Sequence, residues 1–201
     1  DGPYSPDAAQ AGKRALGGAV MAMQSRFDGG KAARKAFAGA DNMTEQLSAL
    51  NCLITVRQAG DALRAFEAQW KDDRLVMDKW FAVQIAGAQP MEAPEIAQRL
   101  TEHPDFTMTN PNRFRAVMGA LVMNHGGFHR GDGAGYALLA DWLIRLDDVN
   151  PQTTARMCAA FQTWERYDAD RQALIRAQLE RIAAKPELSR DTGEMVSRIL
   201  S

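Results

Sequence analysis

Apolar side chains recur at intervals of three and four residues along almost the whole chain, which is the period of an amphipathic α-helix. No stretch alternates apolar and polar residues for long enough to predict a β-strand. The pattern therefore predicts an all-α protein of about eleven helices, most of them about 10 to 20 residues long. The connections between them are short, as they are in bundles and solenoids.

The first predicted helix follows Ser5, whose hydroxyl is of the type that caps the free amides of a helix start. Its apolar positions fall on one face at helical spacing. That apolar face is formed by Ala8, Ala11, Ala15, Ala19 and Met23.

Further helix boundaries are marked by capping residues and glycine. Asn42, with Glu45 three positions later, has the arrangement of a capping box at the start of the third helix, and Gly60 is predicted to end that helix. Asp168 and Ser189 are predicted to cap the last two helices.

Two helix starts share one arrangement, in the stretches NPNRFR at 110–115 and NPQTTAR at 150–156. In each, an Asn can cap free amides, and a Pro occupies the first helical position, where its missing N–H costs nothing. The two starts lie about forty residues apart, which is the repeat length of stacked helical pairs of the HEAT or armadillo kind. The sequence therefore predicts a helical solenoid.

The stretch HGGFHRGDGAGY at 125–136 is the densest in glycine and predicts a loop. His125, His129 and Asp132 could supply metal ligands, but the two histidines share a face only in a helix, and the glycines argue against one. We interpret the stretch as a chain reversal in which Asp132 helps to start the next helix. It also lacks the preceding strand and the spacing of a phosphate-binding loop.

Composition and charge indicate a globular protein and argue against binding to nucleic acid or to a membrane. The 201 residues are 46% hydrophobic and 24% charged, as in a globular protein, and the net charge of -1 provides no basic field for nucleic acid or for an anionic membrane surface. No apolar run approaches a membrane span, and the first ten residues lack the features of a signal peptide. Cys52 and Cys158 lie far apart in helical patterns, which predicts buried thiols and a cytoplasmic location.

The sequence contains no complete catalytic constellation. It has three histidines, no H-E-x-x-H zinc signature and no G-x-S-x-G elbow. We therefore expect no catalytic residue, no metal ligand and no cofactor within these residues, and no enzymatic activity of the chain by itself. No shift in composition divides it, so 1–201 is expected to form a single all-helical segment.

Polar side chains near the two Asn-Pro starts are the candidate binding residues. Gln152 and Arg156 are four positions apart and share a helix face, close to free amides and the positive end of the helix dipole. Arg115 occupies the matching first turns of the other helix. These groups either line one concave surface that binds a carboxylate or peptide carbonyls, or form exposed ion pairs, as most helix arginines do.

Several stretches, spread from residue 42 to residue 182, are similar to one known family. They are NMTEQLSAL, LVMDKWF, HPDFTMTNPNRFR, FHRGDGAGY, VNPQTTAR and RYDADRQALIRAQLERI. In these stretches the chain resembles the last part of the C-terminal helical domain of bacterial aminopeptidase N, the zinc-dependent alanyl aminopeptidases of the gluzincin class.

This resemblance implies a specific architecture and function. The expected fold is a right-handed α-superhelix of stacked antiparallel helix pairs, which packs over the upstream catalytic domain of the same polypeptide and closes the substrate cavity. By position in NPNRFR and NPQTTAR, the family's cavity-facing residues correspond to Arg115, Gln152 and Arg156, which would contact the peptide substrate. The zinc ligands and the G-A-M-E-N loop of the family are absent from the 201 residues.

The resemblance thus predicts the non-catalytic C-terminal part of a larger aminopeptidase, whose zinc belongs to the parent enzyme. The alternative is a free-standing helical solenoid that binds a protein or peptide in its groove, because fold alone does not determine function.

Overall fold

The computed structural model describes residues 4–201, and these residues form helices, turns and loops without a β-strand. The predicted all-α class is therefore confirmed. The chain divides into two compact units, Asp1–Gly87 and Ala88–Ser201. Within residues 4–201, no helix combines the length and the apolar content needed to cross a lipid bilayer.

The helices of the first unit pack around a central helix. They are α1 (Ala8–Asp28), α2 (Lys31–Gly39), α3 (Met43–Thr55), α4 (Gly60–Trp70) and α5 (Arg74–Ala86). Helix α3 contacts the other four, because apolar residues lie on several sides of it and Ala49, Leu50 and Leu53 are fully buried there. This burial against several neighbours stabilises α3 more than helix propensity alone can.

The second unit is built around a later apolar helix. Its elements are α6 (Ala93–Leu100), α7 (Pro111–Phe114), a π-helical turn (Arg115–Gly119), α8 (Ala120–Met123), α9 (His125–Phe128), α10 (Ala134–Leu146), α11 (Pro151–Cys158), two 3-10 turns (Ala159–Phe161 and Trp164–Arg166), α12 (Ala169–Ala183) and α13 (Arg190–Leu200). Helix α10 packs against α6, α9, α11 and α12. Tyr136, Leu139 and Leu143 of α10 are fully buried in this core.

Side chains cap most of the predicted helix starts. In each case an oxygen of the capping residue accepts a hydrogen bond from a backbone amide of the first turn, which satisfies a donor that has no partner within the helix. The predicted caps that the structure confirms are Asn42, Asn110, Asn150, Asp168 and Ser189.

Two predicted boundaries were wrong. Helix α1 is capped by Asp7, whose Oδ1 accepts a hydrogen bond from the amide of Gln10 at 2.9 Å, and not by Ser5. Both are cap-forming residue types, but the carboxylate of Asp7 also complements the helix dipole. Gly60 begins α4 and does not end α3, because α3 stops at Thr55 and Arg57 then turns the chain with a φ of 59°.

The predicted apolar face of α1 is also not the face that packs. All five residues of that face are exposed. The side of α1 that lies against α2 and α3 instead carries Gly18 and Ser25, and Ser25 is buried. Small side chains permit this close approach, since a Cβ on Gly18 would lie 2.8 Å from Oγ of Ser48.

Residues 4–201 contain thirteen α-helical segments, compared with about eleven predicted. One addition arises because the π-helical turn divides the Asn110 helix into α7 and α8. The other is α9, a single helical turn at the start of the stretch that was predicted to be a loop. Its amides are capped by Asn124, whose Oδ1 accepts from Gly127 N at 3.1 Å.

The glycines of this stretch serve close packing as well as chain reversal. A Cβ on Gly127 would lie 2.6 Å from the Cβ of Ala93, and a Cβ on Gly135 would lie 2.6 Å from the carbonyl oxygen of Phe128. No side chain fits at such distances, so glycine lets α9 lie directly against α6 and lets α10 lie against the end of α9.

Side-chain hydrogen bonds within Ala88–Ser201 repeatedly join residues that are 35 to 45 positions apart, and we call these bonds repeat bridges. Examples are Asn124 to Ala88, Tyr167 to His129, Arg181 to Asp141, and Ser189 and Thr192 to Asp147. Their span matches the spacing of about forty residues between the two Asn-Pro starts. Each repeat therefore contacts its nearest neighbour in sequence, as in a solenoid.

Candidate functional site

The first turns of α11 are held in a fixed geometry by Asn150. Its Oδ1 accepts a hydrogen bond from the amide of Thr153 at 3.0 Å, and its carbonyl oxygen accepts one from Oγ1 of Thr154 at 3.1 Å. Gln152 and Arg156 lie on this helix four positions apart and are both exposed. The structure therefore places these two predicted site residues on one accessible helix face, next to a capped helix start.

The guanidinium of Arg156 has no partner among residues 4–201, and neither does the amide of Gln152. Other exposed arginines of the same unit behave differently. Arg176 and Arg190 form ion pairs with acidic residues one turn away, at 2.9 Å and 2.7 Å. The sequence left open whether Arg156 forms an ion pair. Within the described part of the chain, it forms none.

Arg115 lies in a separate segment, at the first residue of the π-helical turn. Its side chain is exposed, and one Nη donates a hydrogen bond to Oδ1 of Asn112 at 2.7 Å. This acceptor is a neutral amide, so it places no negative charge beside the guanidinium. The positive charge of Arg115 therefore remains able to attract an external anion. π-Helical turns inside α-helices often occur at functional sites, because the inserted residue changes the direction of the following side chains.

The other arginine of NPNRFR serves the fold. Arg113 is 4% exposed, and its Nη1 donates to the carbonyl oxygen of Asp105 at 2.7 Å, which ties α7 to the loop before it. Of the two arginines in this motif, only Arg115 is accessible to a ligand.

Both segments that carry the predicted site residues contact helix α10. Phe114, next to Arg115, meets Trp142 of α10 edge-on with ring centroids 6.4 Å apart, and α11 packs directly on α10. Gln152 and Arg156 share a face, whereas Arg115 lies on a neighbouring element. A common binding surface for all three remains a prediction.

A polar cluster centred on His129 was not predicted from the sequence. Its Nδ1 lies 2.8 Å from the hydroxyl of Tyr136, and its Nε2 lies 2.8 Å from the hydroxyl of Tyr167. In a neutral imidazole, one nitrogen donates to one phenol oxygen and the other accepts from the second phenol. The sequence feature from which this cluster could have been predicted is the presence of His129 and Tyr136 in FHRGDGAGY and of Tyr167 in RYDADRQ.

The environment of this cluster keeps it uncharged. Burial, together with the positive charges of His125 and Arg171, lowers the pKa of His129 to about 4. Burial also raises the pKa of Tyr136 to about 12. Arg171 donates from Nε to the carbonyl oxygen of His129 at 2.7 Å. His129 and the two tyrosines therefore form a neutral hydrogen-bonded junction between the end of α9, helix α10 and the segment before α12, and Arg171 joins α12 to the same point.

The arrangement of the histidines does not fit a metal site. His125 and His129 do share a face, with nearly parallel rings 6.3 Å apart, so the prediction that they would not was wrong. Both ring nitrogens of His129, however, are already engaged with tyrosines. Asp132 forms an ion pair with Arg130 and accepts from the amide of Ala134, at the helix start that it was predicted to support. Within residues 4–201, no group of His, Cys, Asp and Glu could hold a metal ion.

Stacked helical pairs, repeat bridges about forty residues long and an all-helical core define the class of helical-repeat proteins. Consistent with this class, the family model described as "Domain of unknown function (DUF3458_C) ARM repeats" matches residues 1–201. Aminopeptidase N of Caulobacter vibrioides is 41% identical over all of the chain and 24% of its own length. Aminopeptidase N of Haemophilus influenzae is 40% identical over 86% of the chain and 20% of its own length.

A solved structure shows the same fold. The crystal structure of Legionella pneumophila aminopeptidase A in complex with aspartic acid superposes with a TM-score of 0.90 and 32% identity, over 100% of this chain and 25% of that one. The chain belongs to the ARM-repeat family that forms the C-terminal domain of aminopeptidase N. It spans about a quarter of the length of these relatives or less.

Proposed function

We propose that this chain is the non-catalytic C-terminal part of a larger zinc-dependent aminopeptidase, an enzyme that removes N-terminal residues from peptides. In this proposal it packs on the upstream catalytic domain of the same polypeptide, closes the substrate cavity and contacts the peptide. The names of the relatives support the activity of the parent enzyme, and the small fraction of their length that the chain matches supports its role as one part of it.

The observation that carries the proposed peptide contact is the exposed, unpartnered guanidinium of Arg156 beside Gln152. A guanidinium binds a carboxylate with two parallel hydrogen bonds, and a glutamine amide can donate to and accept from a peptide backbone. The start of α11 adds the partial positive charge of the helix dipole. Together these groups suit a peptide carbonyl or a C-terminal carboxylate, and Arg115 is proposed as a third contact.

The zinc of the parent enzyme is proposed to lie in the upstream polypeptide, since the described residues of this chain do not fit a metal ion. The residues described here would bind and orient the peptide and take no part in cleavage of the scissile bond. We further propose a cytoplasmic enzyme, in which the buried free thiols of Cys52 and Cys158 stay reduced.

The test is the Arg156→Ala substitution in the full-length parent enzyme. With a tripeptide substrate, KM should rise about tenfold, the effect of losing one charge-assisted hydrogen bond to the substrate. With an alanine-linked chromogenic amide, which has no peptide carboxylate, kcat and KM should stay unchanged. Gln152→Ala should produce a smaller rise in KM for the tripeptide, because it removes only neutral hydrogen bonds.

Arg190→Ala is the matched control, because this exposed arginine forms a surface ion pair with Glu194. It should leave both sets of kinetic constants unchanged. Tripeptide kinetics that are identical for the Arg156→Ala enzyme and the wild type would refute the proposed peptide contact.

A further inference from the structure

Arg115 is held by a carboxamide three positions earlier in the chain. One Nη of Arg115 donates a hydrogen bond to Oδ1 of Asn112 at 2.7 Å. Because a guanidinium has donors and no acceptor, the atom of Asn112 that faces it is the oxygen, and the amide nitrogen lies on the other side of the carboxamide. The backbone of Asn112 is fixed as well, since its N–H donates to Oδ1 of Asn110 at 3.0 Å. A directed hydrogen bond from a capped helix start therefore orients the side chain of Arg115.

The polar groups that this pair leaves free are all hydrogen-bond donors. Nδ2 of Asn112 has no partner among residues 4–201, and the remaining N–H groups of the Arg115 guanidinium have none there either. Both side chains are exposed. Because the acceptor oxygen of the pair is already engaged by the guanidinium, the pair presents donors and a positive charge to a ligand.

The equivalent carboxamide of the next Asn-Pro start is in a different state. Asn112 and Gln152 both occupy the second helical position after their capping asparagines. The amide of Gln152 has no partner within the described residues, so it keeps an acceptor and two donors. A peptide backbone offers both N–H and C=O groups and suits Gln152. A carboxylate only accepts hydrogen bonds, and it suits the free donors of Asn112 and Arg115.

The neutrality of the residue that holds Arg115 is a feature of this pair. Elsewhere in the chain, an arginine bonded to a side chain three positions earlier has an aspartate there. Arg171 pairs with Asp168 at 2.7 Å, and Arg64 pairs with Asp61. An aspartate would therefore fit at position 112 and would bind the guanidinium more strongly than asparagine does. It would also neutralise the guanidinium and repel an anionic ligand.

We infer that Asn112 and Arg115 form a subsite that is selective for the C-terminal carboxylate of the peptide. This inference rests on the proposed peptide contact of Arg115 and narrows it from carbonyl or carboxylate to carboxylate. Asn112 has two roles in the subsite. Its oxygen orients the guanidinium without adding a negative charge, and its Nδ2 donates to the same carboxylate. Asn112 is therefore a specificity-determining residue for a free peptide C-terminus.

The test compares Asn112→Asp with Asn112→Ala in the full-length parent enzyme. The substrates are a tripeptide and the same tripeptide with an amidated C-terminus. Aspartate has the shape of asparagine and can still accept a hydrogen bond from Arg115, so a purely structural role of Asn112 would make Asn112→Asp the milder substitution. A carboxylate subsite makes Asn112→Asp the more harmful one for the tripeptide with a free carboxylate.

The readout is the KM for the amidated tripeptide divided by the KM for the free acid, with kcat unchanged. This ratio should be about 10 in the wild type, where the carboxylate binds a charged group, and about 3 in Asn112→Ala, which loses a neutral hydrogen bond. In Asn112→Asp it should fall to about 1, because the added carboxylate repels that of the substrate. A folding defect would affect both substrates alike. A ratio for Asn112→Asp equal to or above that of Asn112→Ala would overturn the inference.

Two further variants complete the experiment. Asn51→Asp adds the same charge at an exposed asparagine of the first compact unit and should keep the wild-type ratio. Arg115→Ala separates the proposed contact from the inference. If it leaves the KM for the tripeptide unchanged, the contact of Arg115 fails, and the inference fails with it. If it raises that KM about tenfold while both Asn112 variants behave as wild type, only the inference fails.

Discussion

The phenol oxygen of Tyr167 lies 2.8 Å from Nε2 of His129, although the two residues are 38 positions apart in the sequence. The other nitrogen of the same imidazole is bonded to Tyr136. His129 thus joins two successive repeats through a ring that must stay neutral to serve one tyrosine as donor and the other as acceptor. The hydrogen bonds of this junction depend on its protonation state.

We expect His129 to remain neutral in the folded protein until the pH falls to about 4, because burial and the neighbouring positive charges disfavour its protonation. In the unfolded chain its pKa returns to about 6.5. The unfolded state therefore binds more protons between these two values, and the free energy of unfolding should fall as the pH drops from about 6.5 to about 4. Above this window the contribution of His129 is fully present.

The measurement is an NMR titration of the histidine ring signals in the folded chain. His129 can be assigned by comparison with a His125→Gln variant, which removes the exposed neighbour. A midpoint for His129 near 6.5 in the folded state would contradict the prediction.

Gly135→Ala should destabilise the protein by about 2 kcal/mol or more, because the new Cβ would lie 2.6 Å from the carbonyl oxygen of Phe128 and 2.8 Å from its Cα. The obstructing atoms are backbone and cannot rotate away. The control is Gly131→Ala in the same stretch, where the nearest atom is the flexible end of Arg171 at 3.7 Å. Urea unfolding followed by circular dichroism should give a lower midpoint for Gly135→Ala only, and equal midpoints would contradict this account.

Asp147 is buried and binds the start of α13. It accepts hydrogen bonds from Ser189 N and Oγ at 2.8 and 2.6 Å and from Thr192 Oγ1 at 2.6 Å. Burial alone would raise the pKa of this carboxyl, but these bonds and the charge of Lys185 together lower it. Asp147→Ala should therefore cost about 3 kcal/mol, since it leaves buried donors unsatisfied and Lys185 without one of its carboxylate partners.

The matched control for Asp147→Ala is the same substitution at the next residue, Asp148. Asp148 is 67% exposed and pairs with Lys185 at 2.7 Å. Asp148→Ala should cost less than about 1 kcal/mol, as expected for a surface ion pair. Similar losses in the thermal midpoint for both variants would show that the buried carboxylate has no special role.

The 201-residue chain by itself should not hydrolyse an alanine-linked chromogenic amide, with or without added zinc. The polar residues described here provide binding groups, and both ring nitrogens of His129 are already engaged with tyrosines. Zinc-dependent turnover above that of a buffer blank would contradict this prediction and would return attention to His125, His129 and Asp132.

Local features of the sequence were sufficient for most of the helix starts, because a cap depends on residues within one turn. Asn110 and Asn150 cap their helices as predicted, and Gln152 and Arg156 share a face because four positions make one helical turn. The stack of helical pairs followed from the distance between the two starts.

Features that depend on neighbours distant in sequence were not predictable in this way. Gly135 was interpreted as a loop residue, but its role is set by the backbone of Phe128, against which it packs. The apolar alanines of α1 were visible in the sequence, whereas the choice of an adjacent side of the helix for packing depends on α2 and α3. The position of Arg115 relative to Arg156 depends on how adjacent repeats stack, so the candidate site was predictable only in part.

The repeat bridges also bear on how the second unit would respond to force. Tyr167 and Ser189 attach their segments to residues one repeat earlier, and the bridges described here do not skip a repeat. Pulled from its C-terminus, the unit should therefore yield in a sawtooth series and release about forty residues, or about 140 Å of extended chain, at each rupture. The side-chain hydrogen bonds between repeats would thus break one after another under load, and the Asp147 contacts to α13 would break first.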